Sequence, residues 1–130
     1  MDERGFSLLE LLITAAVMSV IILSIYGFFQ SVRDINRYAN NLVLANQVAQ
    51  KQIESYRNTP YNTIPTGTQN LTSILTPYPS LRTPRSATAV ITELQPNGLK
   101  QIDLTITYSD KGGTKTVVVS TLVAARGINK

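Results

Sequence analysis

The chain has no cysteine and no histidine among its 130 residues. Without cysteine there can be no disulfide, no thiolate nucleophile and no Cys-type zinc site. Without histidine the commonest catalytic base and the commonest metal ligand are both missing. The carboxylates of the polar part, Asp34, Glu54, Glu93, Asp103 and Asp110, are scattered. They show no paired spacing, and neither a Gly-rich phosphate loop nor an activated nucleophile accompanies them. No enzyme activity, cofactor, metal or small-molecule substrate is expected. Proline is absent before Pro60, and charge is nearly absent from Phe6 to Phe29, where Glu10 stands alone.

The charge that is present is mildly basic, 12 Lys/Arg against 8 Asp/Glu for a formal +4. It forms no block and reads as a solvated surface. Binding of nucleic acid would require folding to gather Arg82, Arg85, Lys111, Lys115 and Arg126, with Arg82 and Arg85 as the nearest pair in sequence. At this length the chain holds one small domain, and without disulfides an exported domain must rely on its core and its neighbours.

Phe6–Phe29 is a run of 24 residues, FSLLELLITAAVMSVIILSIYGFF. As a helix it measures about 36 Å, enough to cross a hydrocarbon core of about 30 Å. Helix is the conformation that pairs every backbone group within the segment, as lipid demands. A cleaved secretory signal fits poorly. The run is too long, the preceding MDERG is net acidic in its side chains, and no A-x-A site follows. A carboxylate inside such a helix is costly unless paired or protonated, so Glu10 reads as functional. The alternative is that Glu10, four residues into the run, lies near the interface and reaches water.

Arg4-Gly5-Phe6-Ser7-Leu8-Leu9-Glu10 followed by an unbroken apolar run resembles the N-terminal motif of type IV prepilins and type II secretion pseudopilins. The resemblance covers about 25 residues and implies several roles. Prepilin peptidase would cut after Gly5 and methylate the new amine of Phe6. Glu10 would meet the positive N-terminus of a neighbouring subunit and so set the docking register. The implied partners are that peptidase, other pilin or pseudopilin subunits, an inner-membrane assembly platform and the lipid bilayer. The implied location is the bacterial cytoplasmic membrane, crossed once with the head outside the cytoplasm, and then an extracellular pilus or periplasmic pseudopilus. Charge does not fix this orientation, since Arg4 stands beside Asp2 and Glu3 while Arg33 and Arg37 follow the run. Many relatives carry a Pro late in the span. Here Gly27 is the only comparable weak point, costing about 1 kcal/mol of helix propensity against Ala.

Beyond Phe29 the helix turns one-sided. Val32, Ile35, Ala39, Leu42, Asn46, Ala49, Ile53 and Tyr56 form a heptad-like stripe up to Arg57, and Asn58-Thr59-Pro60 ends it. A coiled coil would use this stripe, but strands follow, and packing under a sheet of the same chain is the preferred reading. Residues 58–86 hold Pro60, Pro65, Pro77, Pro79 and Pro84 and read as a connecting loop for subunit contact or display, with a glycosylation sequon at Asn70. Strand patterns follow at Ala87–Gln95, Leu99–Ser109 and Thr114–Ala124. They are separated by the turn signals Pro96-Asn97-Gly98 and Asp110-Lys111-Gly112-Gly113.

The expected fold class is α+β: a long N-terminal helix whose second half packs on a three-stranded antiparallel sheet, which resembles the lollipop-like pilin fold. The expected organisation is a leader at 1–5, a transmembrane helix at 6–29, its amphipathic continuation at 30–57, the loop at 58–86 and a β-meander head at 87–130. The strand–turn–strand stretch from Val90 to Leu122 is similar in spacing and apolar pattern to minor pilins of the pilus-modification kind and to minor pseudopilins of the same size; major pilins often carry a larger head and a C-terminal disulfide loop, which a chain without cysteine cannot form. A single-pass membrane-anchored binding domain that forms no filament is the alternative of another class.

Overall fold

The structure, a computed structural model, describes residues 7–125. The chain divides into two compact units, Met1–Arg37 and Tyr38–Lys130. One helix, α1, runs Leu8–Arg57 without a break.

In the first unit every apolar side chain from Leu8 to Phe29 is exposed in the single chain, which is what a helix solvated by lipid or by other helices looks like alone. Its few hydroxyls are satisfied internally. Thr14 donates to the Glu10 carbonyl at 2.9 Å, Ser19 to Ala15 and Ser24 to Val20 at 2.8 Å, and Ser31 to Gly27 at 3.2 Å. Such back-bonding to the preceding turn lets hydroxyls lie in hydrocarbon without an open partner. The helix is long and apolar enough to cross a membrane by length and composition. It continues through Gly27, whose absent side chain would meet nothing within 4 Å.

In the second unit α1 buries Asn41, Ala45, Val48, Ala49, Ile53 and Tyr56. Within this unit the expected stripe holds from Ala49 onward and fails before it: Ala39 is exposed, while Leu42 and Asn46 only border the core. The cause is geometric. A strict seven-residue pattern drifts by about 20° per heptad around a straight helix, so the buried face passes through Ala45 and Val48 instead. Asn46 turns its amide back to the Leu42 carbonyl at 2.9 Å.

The sheet has four strands where three were expected. Strands β1 (Gly67–Asn70), β2 (Arg82–Gln95), β3 (Leu99–Asp110) and β4 (Gly113–Ala124) follow one another antiparallel in that order. β1 lies inside the segment expected to be a loop and pairs Gly67 with Ile91 through Asn70 with Thr88. Four residues with only Gly, Thr, Gln and Asn show no apolar alternation, so nothing in their own pattern announces a strand. β2 starts five residues before the expected Ala87. Pro84 is tolerated because the β2–β3 register is irregular between Arg82 and Ser86, where a ladder hydrogen bond is not required.

The turns follow the expected chemistry. Gly98 N–H closes onto the Gln95 carbonyl at 3.0 Å, with Pro96 second and Asn97 third at φ 55°. β3 and β4 are joined by Lys111-Gly112, with Gly113 at φ 103°.

The core combines the helix face with Ala87, Ala89, Ile91, Ile102, Leu104, Ile106, Tyr108, Val117 and Val123 from the sheet. It also takes Tyr61, Ile64, Leu75 and Leu81 from residues 58–86. That segment therefore also contributes to the packing of the head. Its prolines alternate with buried apolar anchors and two short 3-10 turns, Tyr61–Thr63 and Thr72–Leu75. The Asn70 side-chain oxygen accepts from Thr72 N–H at 2.9 Å, so the sequon sits in a local turn.

Candidate functional site

The residues expected to carry the chemistry lie at the N-terminus, and two of them, Gly5 and Phe6, fall outside the described residues. Ser7 starts the helix. Its carbonyl accepts from Glu10 N–H at 2.9 Å and Leu11 N–H at 3.2 Å, and its hydroxyl accepts from Leu9 N–H at 3.3 Å. Ser7 is thus the N-cap and Glu10 the third helical residue. This S-x-x-E spacing is that of a capping box. The Ser7-x-x-Glu10 spacing is readable in the sequence.

The position has an electrostatic consequence. The first turn of a helix carries its unpaired N–H groups and the positive end of its dipole, where a carboxylate gains about 0.3–1 kcal/mol. That is small against the cost of a carboxylate in lipid, about 2.5–3.5 kcal/mol on the insertion scale for the comparable Asp. Glu10 is exposed, and none of the described residues pairs with its carboxylate. Leu8, Leu9, Leu11, Leu12 and Ile13 around it are all more than half exposed. An acidic point on an apolar surface remains.

The head offers a contrast. A groove of about 580 Å³ is lined by Val48, Lys51, Gln52, Glu54, Ser55, Asn58, Ile74, Pro77 and Tyr78. It holds a single carboxylate and no nucleophile–base pair. Among the described residues no group of three or more Asp or Glu side chains could hold a metal. Arg82 and Arg85 part company. Arg82 is exposed, whereas Arg85 is half-buried and donates from Nη1 to the carbonyls of Tyr78 and Leu81, both at 2.8 Å. Arg126 lies outside the described residues.

Sequence reading missed the one buried cation among the described residues. Lys100 is 6% exposed and donates from Nζ to the Tyr61 carbonyl at 3.0 Å and the Ile64 carbonyl at 2.7 Å. The same Nζ lies 4.3 Å from the centre of the Tyr61 ring. Tyr61 O–H donates to Glu93 at 3.1 Å, and Glu93 also accepts from Asn97 N–H at 2.9 Å. Glu93 faces Lys100 across the β2–β3 pair. The signal was a Lys on the apolar side of β3, in phase with Ile102, Leu104 and Ile106.

These contacts set a pH window. The Asn97 N–H, then Tyr61 O–H and Lys100, hold Glu93 below the ordinary carboxylate range. Ser120 and then Gln101 do the same for Asp103. A lowered carboxylate stabilises the fold above its unfolded value of about 4 and ceases to do so as pH falls through the folded value. Burial raises Tyr56, Tyr61 and Tyr108 above their ordinary value, so their contribution is complete below about pH 10 and is lost above it. The thermal midpoint of the head should be level from about pH 5 to 9 and fall at both extremes. Glu93→Gln should shorten the acid limb. An acid limb unchanged in that variant would separate Glu93 from the effect.

The described chain joins an α+β head to a long helix that is apolar in its first half and carries a lone carboxylate, Glu10, in its first turn. Residues 1–26 match the family model described as the prokaryotic N-terminal methylation motif. No curated protein and no solved structure matches the chain. The chain carries the type IV pilin and pseudopilin signature at its N-terminus, and its α+β fold is pilin-like.

Proposed function

We propose that the chain is a structural subunit of a type IV pilus, of the minor-pilin kind, matured by prepilin peptidase and assembled through its N-terminal helix. The observation that carries this is the Glu10 carboxylate, unpartnered by the described residues, three positions into an apolar helix whose first part lies within the matched motif. Cleavage between Gly5 and Phe6 would place an amine just before Ser7. There the helix dipole opposes a cation and favours a carboxylate brought by a neighbour. In a low-dielectric bundle each charge is costly alone and attracted to the other, so the pair would set register as the subunit docks. The peptidase, sister subunits, assembly platform and bilayer are the partners of this reading, and the inner membrane followed by the filament is its location. A minor pseudopilin of type II secretion would use the same N-terminus, and neighbouring genes for pilus retraction or for an outer-membrane secretion channel distinguish the two.

Mass spectrometry of the protein from cells with active peptidase tests the proposal. The expected species lacks residues 1–5 and carries one added methyl group on Phe6. A chain that still begins at Met1 would favour the anchored binding domain that forms no filament.

A further inference from the structure

The two edges of the sheet are built differently. One is blunted: β1 is four residues long, and β2 beyond it carries Pro84 and register shifts between Arg82 and Ser86 and between Glu93 and Gln95. Short strands, proline and bulges are the usual means of keeping foreign strands off a sheet. β4 has none of them. Its 12 residues pair with β3 in unbroken register from Gly113 to Ala124. Among the described residues no strand pairs with its other side. Gly113–Ala124 contains no proline and no carboxylate, and Val117-Val118-Val119 lies at its centre. Its one charge, Lys115, stands near its start, with the ammonium 5.3 Å from the centre of the Tyr38 ring. Unpaired N–H and C=O groups along such a strand are a template for a further strand.

The surroundings of this edge narrow the occupant. Val118 and Leu122 are 61% and 51% exposed, on the face of β4 that also carries Ser120. A cavity of about 520 Å³ opens against the second half of the strand, lined by Arg57, Gln101, Ser120, Thr121 and Leu122. Arg57 is the one charge in that lining. It reaches Glu54 at 3.7 Å with both side chains more than half exposed, a contact worth little in water. The guanidinium can therefore take a carboxylate brought from outside, and its fork suits two-point contact. A second copy of the chain fits badly. Parallel pairing in register sets Lys115 opposite Lys115. Antiparallel pairing about any centre from Val117 to Ser120 sets the copy's Lys115 opposite a residue between Val119 and Ala125, beside Arg57. Like charges brought together oppose both arrangements.

We propose that β4 is a docking edge for another protein, which adds an extended acidic segment as a fifth strand and sets a carboxylate on Arg57. Main-chain hydrogen bonds along β4 supply the attachment. Val118 and Leu122 meet alternate side chains of the incoming strand, and Arg57 selects for acidic character. This surface lies within the head and does not depend on Glu10.

The full-length chain in detergent micelles provides the test, with a short blocked peptide of alternating threonine and valine that carries glutamates at one end. Versions with the acidic end first or last cover both strand directions. Hydrogen exchange of the β4 amides is followed by NMR, with the β3 amides as internal reference. Without peptide, about half of the β4 amides, those turned away from β3, should exchange near the unprotected rate. At about 1 mM, one acidic version should slow them about fivefold, as for a dissociation constant of about 0.25 mM. The same peptide with lysines in place of glutamates should bind about fivefold more weakly, and Arg57→Glu should reverse that preference. Arg57→Gln, the milder change, should abolish it. Protection by neither acidic version would overturn the docking edge. Equal binding of acidic and basic peptides, or a preference unchanged in Arg57→Gln, would overturn the acidic assignment. Edge amides already protected in the dilute chain, or protected by raising the chain concentration alone, would mean that the chain itself or a second copy closes the edge, and would overturn the proposal.

Discussion

Glu10→Ala should leave membrane insertion and removal of residues 1–5 intact and lower incorporation into filaments by about two orders of magnitude, read as the ratio of sheared-filament to membrane-bound protein. The size follows from the proposed pairing that the substitution would break. Removing one partner from a buried, hydrogen-bonded charge pair costs about 3–5 kcal/mol, and about 1.4 kcal/mol is tenfold in an equilibrium constant. Two smaller effects compete. Glu10 is the third helical residue after the Ser7 cap, so the variant also loses a first-turn dipole contact, worth about 0.3–1 kcal/mol or at most about fivefold. The variant also makes the helix more apolar, which favours insertion. Neither produces a hundredfold loss confined to assembly. Ser7→Ala separates the cap from the charge. It weakens the helix start by about 1 kcal/mol and leaves Glu10 in place, so filaments should still form. Normal incorporation of Glu10→Ala would mean that the carboxylate merely reaches water at the interface.

The division between what was legible and what was not follows the range of the interactions involved. The helix and the three longer strands are each written in a local period: apolar all round from Phe6, one-sided to Arg57, alternating along β3 with Ile102, Leu104, Ile106 and Tyr108 inward. The turns at Asn97 and Gly113 are local as well, because each needs a residue that accepts positive φ. β1 was not legible, because Gly67–Asn70 becomes a strand only through pairing with β2. Nor was the packing role of Leu75 and Leu81, which are fully buried amid prolines that look like loop. Of the candidate site, the position of Glu10 was evident from the apolar run, while its capping-box spacing from Ser7 took its meaning from where the helix begins. Arg85 shows the limit on charges. It looks like surface in the sequence and is used to hold two carbonyls.

Lys100→Met should lower the stability of the head by about 3 kcal/mol, the net of several opposed terms. Methionine keeps the length of the stem, so little volume is lost and no large cavity term applies. What disappears is a charged donor. The Tyr61 and Ile64 carbonyls both belong to buried residues, and the ammonium serves both. Hydrogen bonds to charged groups contribute about 1.5–3 kcal/mol each, and an orphaned buried acceptor costs about 1–3 kcal/mol. The contact over the Tyr61 ring adds about 0.5–2 kcal/mol. Against these stands the desolvation of the ammonium, which Met avoids. Replacing a buried ion pair on both sides by apolar groups is often neutral for that reason. Here the acceptors are main-chain carbonyls that no substitution removes, so the loss prevails. For a head of this size about 3 kcal/mol corresponds to a fall in midpoint of roughly 10–20 °C, measured on the full chain in detergent. Lys51→Met, on the exposed face of α1, should shift it by no more than about 0.5 kcal/mol equivalent. Hydrogen exchange adds a second reading, because the 3-10 turn at Tyr61–Thr63 and β1 should lose protection before the β2–β3 pair does. An unchanged midpoint with unchanged exchange there would mean that the carbonyls find other donors, and that the buried Lys100 cation is incidental to the fold.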